Sequence, residues 1–295
     1  MHCKFLKLTL LFLLSVLLGA CQTAQSGSSV VNPSLSTPNP TRTPYSILPE
    51  ITPYPSPTAT PICSEMSGSI EEGQVLSKKL DKPMSYLVYL PPCYNHDPTL
   101  RYPVIYLLHG QNDSEVEWLQ LGAAAAADEL IATGMTKPFI MVFPFDPSYK
   151  QPDQYGFQDV FLGSLIPEID RNYRTFDDRA HRAIGGMSRG GAWALHLGAN
   201  FPQMFGSVGG HSPSIFFEDG NKLPELYVSI PSSSLPRIWI DIGDSDPGIK
   251  LISQFHNSLE EQGVKHEFYQ NKGYHEGKYW AAHLREYLLW YDQGW

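Results

Sequence analysis

Short apolar runs alternate with amphipathic segments from about residue 84 to the end of the 295-residue chain. Runs without polar interruption, such as YPVIYLLHG (102–110), are typical of strands covered on both faces. The pattern predicts strands at 84–92, 102–110, 138–144, 182–186, 204–212, 236–243 and 266–270. It predicts helices at 115–134, 157–173, 189–202, 248–262 and 277–291. Strands that alternate with helices imply right-handed crossovers, so the predicted fold class is α/β with a mostly parallel sheet.

The N-terminus has a different pattern. It begins MHCKFLKLTLLFLLSVLLGAC, in which Lys4 and Lys7 precede an apolar run and small residues lead into Cys21. This is the layout of a secretory signal. Residues 18–21 resemble the lipobox of bacterial lipoproteins, whose cysteine carries the lipid, while an ordinary secretory signal is the alternative. We predict a lipoprotein signal peptide at 1–20, lipidation of Cys21 and an extracytoplasmic protein that the lipid attaches to the cell membrane.

Residues 21–62 are rich in serine, threonine and proline and contain few large apolar side chains. Such a segment cannot bury enough apolar surface to offset the entropy of ordering, and repeated prolines favour extended conformations. We therefore predict a disordered linker that holds a folded domain away from the membrane. The remaining residues, 63–295, have a suitable length for a single α/β domain.

Charge and cysteine usage narrow the function classes. The chain carries a formal charge of −9, which becomes −11 when the two signal lysines are removed, so nucleic acid is not an expected partner. Cys63 and Cys93 lie outside any metal-ligand spacing, and outside the cytoplasm we expect a disulfide between them rather than two free buried thiols. The chain contains no H-E-x-x-H, Walker or dinucleotide motif, so neither a metal nor an organic cofactor is implied.

The stretch AIGGMSRGGAWALHLG (183–198) surrounds Ser188 with glycines between a predicted strand and a predicted helix. It contains G-x-S-x-G in the strand–turn–helix context that a nucleophile elbow requires. Glycines allow a sharp turn that raises the serine oxygen above the sheet, and the following helix offers N–H groups to an oxyanion. We predict that Ser188 is a nucleophile rather than part of a structural turn.

A serine nucleophile needs a histidine base and an acid that orients it. His275 lies in a glycine-flanked loop after the last predicted strand, which is the expected position of the base. WIDIGDSDPG offers three acids: Asp241 within the strand, where a structural role is expected, and Asp244 and Asp246 beyond its end. Spacing alone does not distinguish Asp244 from Asp246.

The whole domain resembles the esterase D-like α/β-hydrolases, which include feruloyl, acetylxylan and siderophore esterases and mycolyltransferases. The resemblance rests on VIYLLHGQND, FLGSLIPEIDRNYRT, RAIGGMSRGGAWAL, WIDIGDSD and GYHEGKYW. It implies an α/β-hydrolase fold, Asp246 as the acid, support for His275 from the following Trp280, and an oxyanion hole from the N–H groups of Gln111 and Arg189. Many members have methionine where this chain has Arg189, and a guanidinium there is expected to alter acyl or leaving-group preference.

The resemblance implies two-step hydrolysis of a small-molecule or carbohydrate ester, with small acyl, feruloyl or acetyl groups as candidates. Acyl transfer and siderophore-ester hydrolysis are alternative functions, and a non-catalytic binding module is a further one. Candidate substrate-contacting residues are Trp118, Tyr155, His211 and Trp280. Residues 211–236 leave room for at most a small lid.

Overall fold

Eight strands form one sheet in the computed structural model of the chain, which describes residues 63–80, 82–220 and 222–295. The strands are β1 (Ser69–Val75), β2 (Met84–Leu90), β3 (Val104–Leu108), β4 (Ile140–Pro144), β5 (Arg182–Met187), β6 (Ser207–His211), β7 (Arg237–Gly243) and β8 (Glu267–Asn271). Their order is β1-β2-β4-β3-β5-β6-β7-β8. β2 runs antiparallel to both neighbours, and all pairings from β4 to β8 are parallel. The predicted signal peptide, the lipidated Cys21 and the linker lie outside the described residues.

The helices fall close to the predicted segments. They are α1 (Glu117–Gln120), α2 (Ala123–Ala132), α3 (Phe157–Val160), α4 (Ile166–Asn172), α5 (Arg189–Asn200), α6 (Lys222–Ser229), α7 (Ile249–Glu261) and α8 (Gly277–Asp292). The helix predicted at 115–134 is divided because Gly122 adopts a φ of 98°, outside the helical region. A π-helical turn at Phe161–Leu165 joins α3 to α4, and Pro167 lies in the first turn of α4, where its missing N–H costs little.

Two hydrophobic clusters cover the two faces of the sheet. Ile184 belongs to the cluster that includes α5 and α7, while the adjacent Ala183 belongs to the cluster that includes α2 and α8. All residues of β3 to β6 are buried, as their apolar or glycine-rich runs predicted. The predicted α/β class and mostly parallel sheet are confirmed.

The N-terminal edge and the 211–236 segment hold the two elements that were not predicted. β1 is an edge strand exposed on both faces, so its sequence has no apolar alternation. α6 contains a proline and packs onto α5, where the Tyr227 hydroxyl donates to the Leu195 carbonyl at 2.9 Å. Cys63 and Cys93 form the predicted disulfide. Among the helices described, none combines the length and apolar character that a membrane span requires.

Candidate active site

Ser188 lies at the sharp turn between β5 and α5. Its backbone has φ 52° and ψ −117°, a conformation that non-glycine residues rarely adopt. A Cβ added to Gly186 would lie 2.3 Å from the Gly190 carbonyl carbon, and one added to Gly190 would lie 2.3 Å from the Leu108 carbonyl oxygen. Glycine is therefore required at both positions because the backbone segments around the turn are in close contact. Ser188, at the turn itself, is partly exposed.

A continuous chain of hydrogen bonds joins Ser188, His275 and Asp246. The Ser188 hydroxyl lies 2.9 Å from His275 Nε2, and His275 Nδ1 lies 2.7 Å from Asp246 Oδ2. Asp246 is 3% exposed, and its second oxygen accepts the Gly248 N–H at 2.7 Å. An imidazole that donates from Nδ1 to Asp246 has Nε2 free to accept the serine proton, which is the arrangement of a serine hydrolase.

Asp244, the competing acid, faces away from this chain of hydrogen bonds. Its carboxylate pairs with Lys272 at 2.6 Å, and the hydrogen bond from Lys272 is the main reason that the pKa of Asp244 is lowered. Lys272 is 96% exposed at its side chain, so this is a surface pair. The geometry therefore distinguishes the two aspartates that sequence spacing left equivalent.

Two backbone N–H groups flank the serine. Arg189 is the first residue of α5, and Gln111 follows the His-Gly pair after β3. Within the described part of the chain, neither N–H has a hydrogen-bond partner. Both are therefore available to an oxyanion.

The loop that carries Gln111 is fixed on both sides of Gly110. Glu117 Oε2 accepts the Gly110 N–H at 2.6 Å, and His109 Nδ1 donates to the Gly110 carbonyl at 2.6 Å. His109 Nε2 accepts the Asp146 N–H at 2.9 Å, and burial lowers the pKa of this imidazole. Both ring nitrogens of His109 are thus committed to backbone groups, so it is a structural histidine and not a second base.

The Arg189 side chain is held by the loop that follows β4. Its Nε donates to Asp146 Oδ2 at 2.9 Å, and Nη2 donates to the Lys150 carbonyl at 2.8 Å. Both partners of the ion pair are 6% exposed at their side chains. The guanidinium is therefore committed to a buried pair, and the expected change in acyl or leaving-group preference stays a prediction.

Three of the four predicted substrate contacts are wrong, since they are buried. Trp118 is 1% exposed and donates to the Leu108 carbonyl, and His211 is fully buried between Asp241 and Tyr291. Trp280 is 5% exposed and packs edge-on against the His275 ring at 5.1 Å, so it supports the imidazole.

Tyr155, the fourth candidate, is partly exposed and lines an open cavity of about 450 Å³ together with Tyr149 and Lys150. A smaller cavity of about 160 Å³ shares Tyr149 and is lined by Gln111. The two cavities form a cleft that leads from an oxyanion donor towards Tyr155.

Asp146 and Glu117 were not predicted as site residues. Asp146 accepts from the Arg189 and Trp193 side chains through Oδ2 and from Tyr155 and Ser148 through Oδ1. The available signal was its position two residues after the carboxyl end of β4, at the edge of the sheet where Ser188 also lies. The sequence around Glu117 contains no motif that predicts a role in the site, because its partner is the backbone N–H of Gly110.

Comparisons with known proteins agree with this geometry. Residues 77–291 match a sequence model of the family described as "Putative esterase". The chain belongs to this esterase family. The predicted resemblance to an esterase family is confirmed.

Three of the similar proteins have names that describe action on esters. An endo-1,4-beta-xylanase/feruloyl esterase of Xylanibacter ruminicola is 31% identical over 216 residues, which is 68% of this chain and 29% of that protein. An iron(III) salmochelin esterase of Escherichia coli is 25% identical over 250 residues, which is 76% of this chain and 59% of that protein. A solved ferulic acid esterase, 24% identical, shares the fold with a TM-score of 0.70, over 78% of this chain and all of its own. The chain thus spans less than a third of the length of the xylanase relative.

Proposed function

We propose that this protein is a serine carboxylesterase that acts through Ser188, His275 and Asp246. The observation that carries the proposal is the unbroken hydrogen-bond chain from the buried Asp246 carboxylate to the Ser188 hydroxyl. Family membership supports the class of reaction, and this chain of contacts supports the choice of residues.

In the first step Ser188 Oγ attacks the ester carbonyl carbon while His275 Nε2 takes the hydroxyl proton. Asp246 stabilises the imidazolium that forms. The Gln111 and Arg189 N–H groups bind the negative oxygen of the tetrahedral intermediate, and each such donor is worth about 3 kcal/mol. Collapse of the intermediate breaks the ester C–O bond, and His275 returns its proton to the leaving alkoxide.

In the second step water attacks the acyl-enzyme. His275 takes a proton from the water, the same two N–H groups hold the second oxyanion, and the Ser188–acyl bond breaks as the proton returns to Oγ. The product is a carboxylic acid, and the enzyme is regenerated. The 35% exposure of the His275 side chain gives water access to this position.

For the substrate, we propose small acyl esters or feruloyl- and acetyl-type esters of carbohydrates. The open cleft from Gln111 to Tyr155 supports an extended substrate, and the names of the feruloyl esterase relatives support an aromatic acyl group. Siderophore-ester hydrolysis is the second candidate because of the salmochelin esterase relative. Transfer of the acyl group to an alcohol would use the same residues, so product analysis separates it from hydrolysis.

We further propose that the enzyme is a lipoprotein held outside the cytoplasm through Cys21. The signal-like N-terminus supports this location, and so does the Cys63–Cys93 disulfide, because disulfides persist in oxidising compartments. A Cys21→Ser variant should lose metabolic labelling with fatty acid. Equal labelling of the variant and the unmodified chain would refute lipidation at this residue.

The esterase proposal is tested by hydrolysis of p-nitrophenyl acetate and methyl ferulate. Ser188→Ala should lower kcat by at least about 10³-fold, because the nucleophile is removed. Ser245→Ala is the matched control: Ser245 lies between Asp244 and Asp246, and its hydroxyl contacts only Asp244, so activity should be retained. Equal activity in Ser188→Ala, or no turnover of either ester by the folded unmodified protein, would overturn the proposal.

A further inference from the structure

Two histidines and a glutamate converge at the far end of α7, remote from Ser188. His256 and Glu260 are four residues apart on α7 and therefore lie on the same helix face. His266 returns beside them just before β8, after a turn at Gly263, whose φ is 71°. The candidate ligand atoms of the three side chains all lie within 4.8 Å of one another.

The His266 ring is oriented in the way that a metal ligand requires. Its Nδ1 lies 2.8 Å from the Val264 carbonyl, to which it must donate, so the Nε2 lone pair is directed away from the backbone. Metal-bound histidines characteristically donate their second ring N–H to a carbonyl or a carboxylate in this manner. The tautomer of His266 is thus fixed before any ion arrives.

His256 faces that lone pair directly. Its Nδ1 lies 2.8 Å from His266 Nε2, and its ring stacks on Phe268 with centroids 4.0 Å apart. The two imidazole rings meet edge-on at an interplanar angle of 67° and, with the Glu260 carboxylate beside them, form a nitrogen- and oxygen-donor set.

We propose that His256, Glu260 and His266 form a binding site for a zinc-class divalent cation. Zinc takes histidine nitrogens at 2.0–2.1 Å, so the two nitrogens of a tetrahedral site lie about 3.3 Å apart. The observed 2.8 Å therefore has to widen by only about 0.5 Å. Glu260 is exposed and free to rotate, and water would complete the coordination.

The site is accessible, and it is structural in character. His266 lines an open cavity of about 330 Å³ together with Lys265 and Leu235. α7 has 13 residues and a length of about 20 Å, and Asp246 precedes its opposite end. A bound ion would therefore join the end of α7 to the start of β8 without taking part in ester hydrolysis, and this inference does not depend on the proposed function.

The test is titration of the untagged, EDTA-treated protein with zinc chloride by calorimetry, and with cobalt chloride by visible absorption. We expect one saturable site, tetrahedral cobalt absorption and a zinc-dependent rise in Tm. His256→Gln and Glu260→Gln should each weaken zinc binding at least tenfold, and magnesium should not compete because it prefers all-oxygen sites. His283→Gln is the matched control, because His283 is also a helix histidine with a nearby glutamate, Glu286, but no third ligand lies near it among the described residues.

Glu260→Gln separates loss of zinc binding from loss of the fold, because an exposed side chain on a helix surface does not determine folding. Circular dichroism of each variant establishes that the fold is retained. Zinc affinity that is equal in the unmodified protein, His256→Gln and Glu260→Gln would overturn the proposal. The absence of saturable zinc binding in the unmodified protein would also overturn it.

Discussion

Replacing Arg189 with methionine removes a guanidinium from a buried ion pair and retains the backbone N–H assigned to the oxyanion hole. The Nε–Oδ2 distance to Asp146 is 2.9 Å, and both side chains are 6% exposed. When one partner of a buried pair is removed, the other is left charged without water, which costs about 3–5 kcal/mol. The residue that many relatives carry is therefore expected to destabilise this chain.

The size of the stability loss depends on the hydrogen bonds that Asp146 keeps. In Arg189→Met its carboxylate still accepts from Trp193 Nε1 at 2.8 Å, from the Tyr155 hydroxyl at 2.7 Å and from the Ser148 N–H at 3.1 Å. We therefore expect the lower end of the range, about 3 kcal/mol. For a domain of this size, that loss lowers Tm by roughly 6–12 °C.

Thermal unfolding followed by circular dichroism measures this loss, with Lys79→Met as the matched control. Lys79 pairs with Asp159 at 2.6 Å, but the two side chains are 62% and 52% exposed, so at most about 1 kcal/mol is expected. The double variant Arg189→Met with Asp146→Asn should lose less stability than Arg189→Met alone, because no buried charge is left unpaired. Equal Tm values for Arg189→Met and Lys79→Met would refute this reasoning.

Three further predictions concern the oxyanion loop, pH and the disulfide. Glu117→Gln should lower kcat about 10-fold or more with little change in KM, because a charge-assisted hydrogen bond from the Gly110 N–H is weakened. Steady-state kinetics on p-nitrophenyl acetate measures both constants, and a change in KM alone would contradict this prediction. The pKa of His109 is lowered in the folded state, so the unfolded state binds more protons, and stability should fall as the pH decreases below about 6.5. In urea unfolding, the stability of His109→Gln should depend less on pH than that of the unmodified protein. Reduction of Cys63–Cys93, which closes a loop across 30 residues, should cost about 3 kcal/mol in denaturant unfolding, and identical midpoints before and after reduction would contradict that value.

The nucleophile and base positions could be predicted because their signals are local. Glycines that allow a sharp turn lie on both sides of Ser188. His275 lies in a loop between Gly273 and Gly277. Strand boundaries came from apolar runs in the same way. Spacing left the partner acid open between Asp244 and Asp246, which lie on the same turn, and the family resemblance implied Asp246. Side-chain direction in the structure shows that Asp246 meets His275 while Asp244 pairs with Lys272.

The contacts of Trp118 and His211 could not be predicted, because the sequence does not reveal whether a ring near a strand end faces the cleft or the core. His211 is the last residue of β6, and Trp118 lies in α1 after β3, so both are near strand ends at the edge of the sheet where Ser188 lies. Both instead turn into the core between the sheet and α8, where their polar atoms are satisfied within the protein. β1 escaped prediction for the opposite reason, since an exposed edge strand does not need an apolar face.

The strained turn at Ser188 is held by a buried network that does not itself touch the substrate. A non-glycine residue at positive φ costs about 1–3 kcal/mol, so neighbouring contacts must offset that cost. The Ser188 N–H donates to the His211 carbonyl at 3.0 Å, and the His211 ring is fixed by the fully buried Asp241 at 2.8 Å. Asp241 also accepts from the hydroxyls of Tyr279 and Tyr287 on α8, the helix that follows the His275 loop. One buried carboxylate thus joins the element that presents the nucleophile to the element that presents the base, which explains why a charged group lies in the middle of β7.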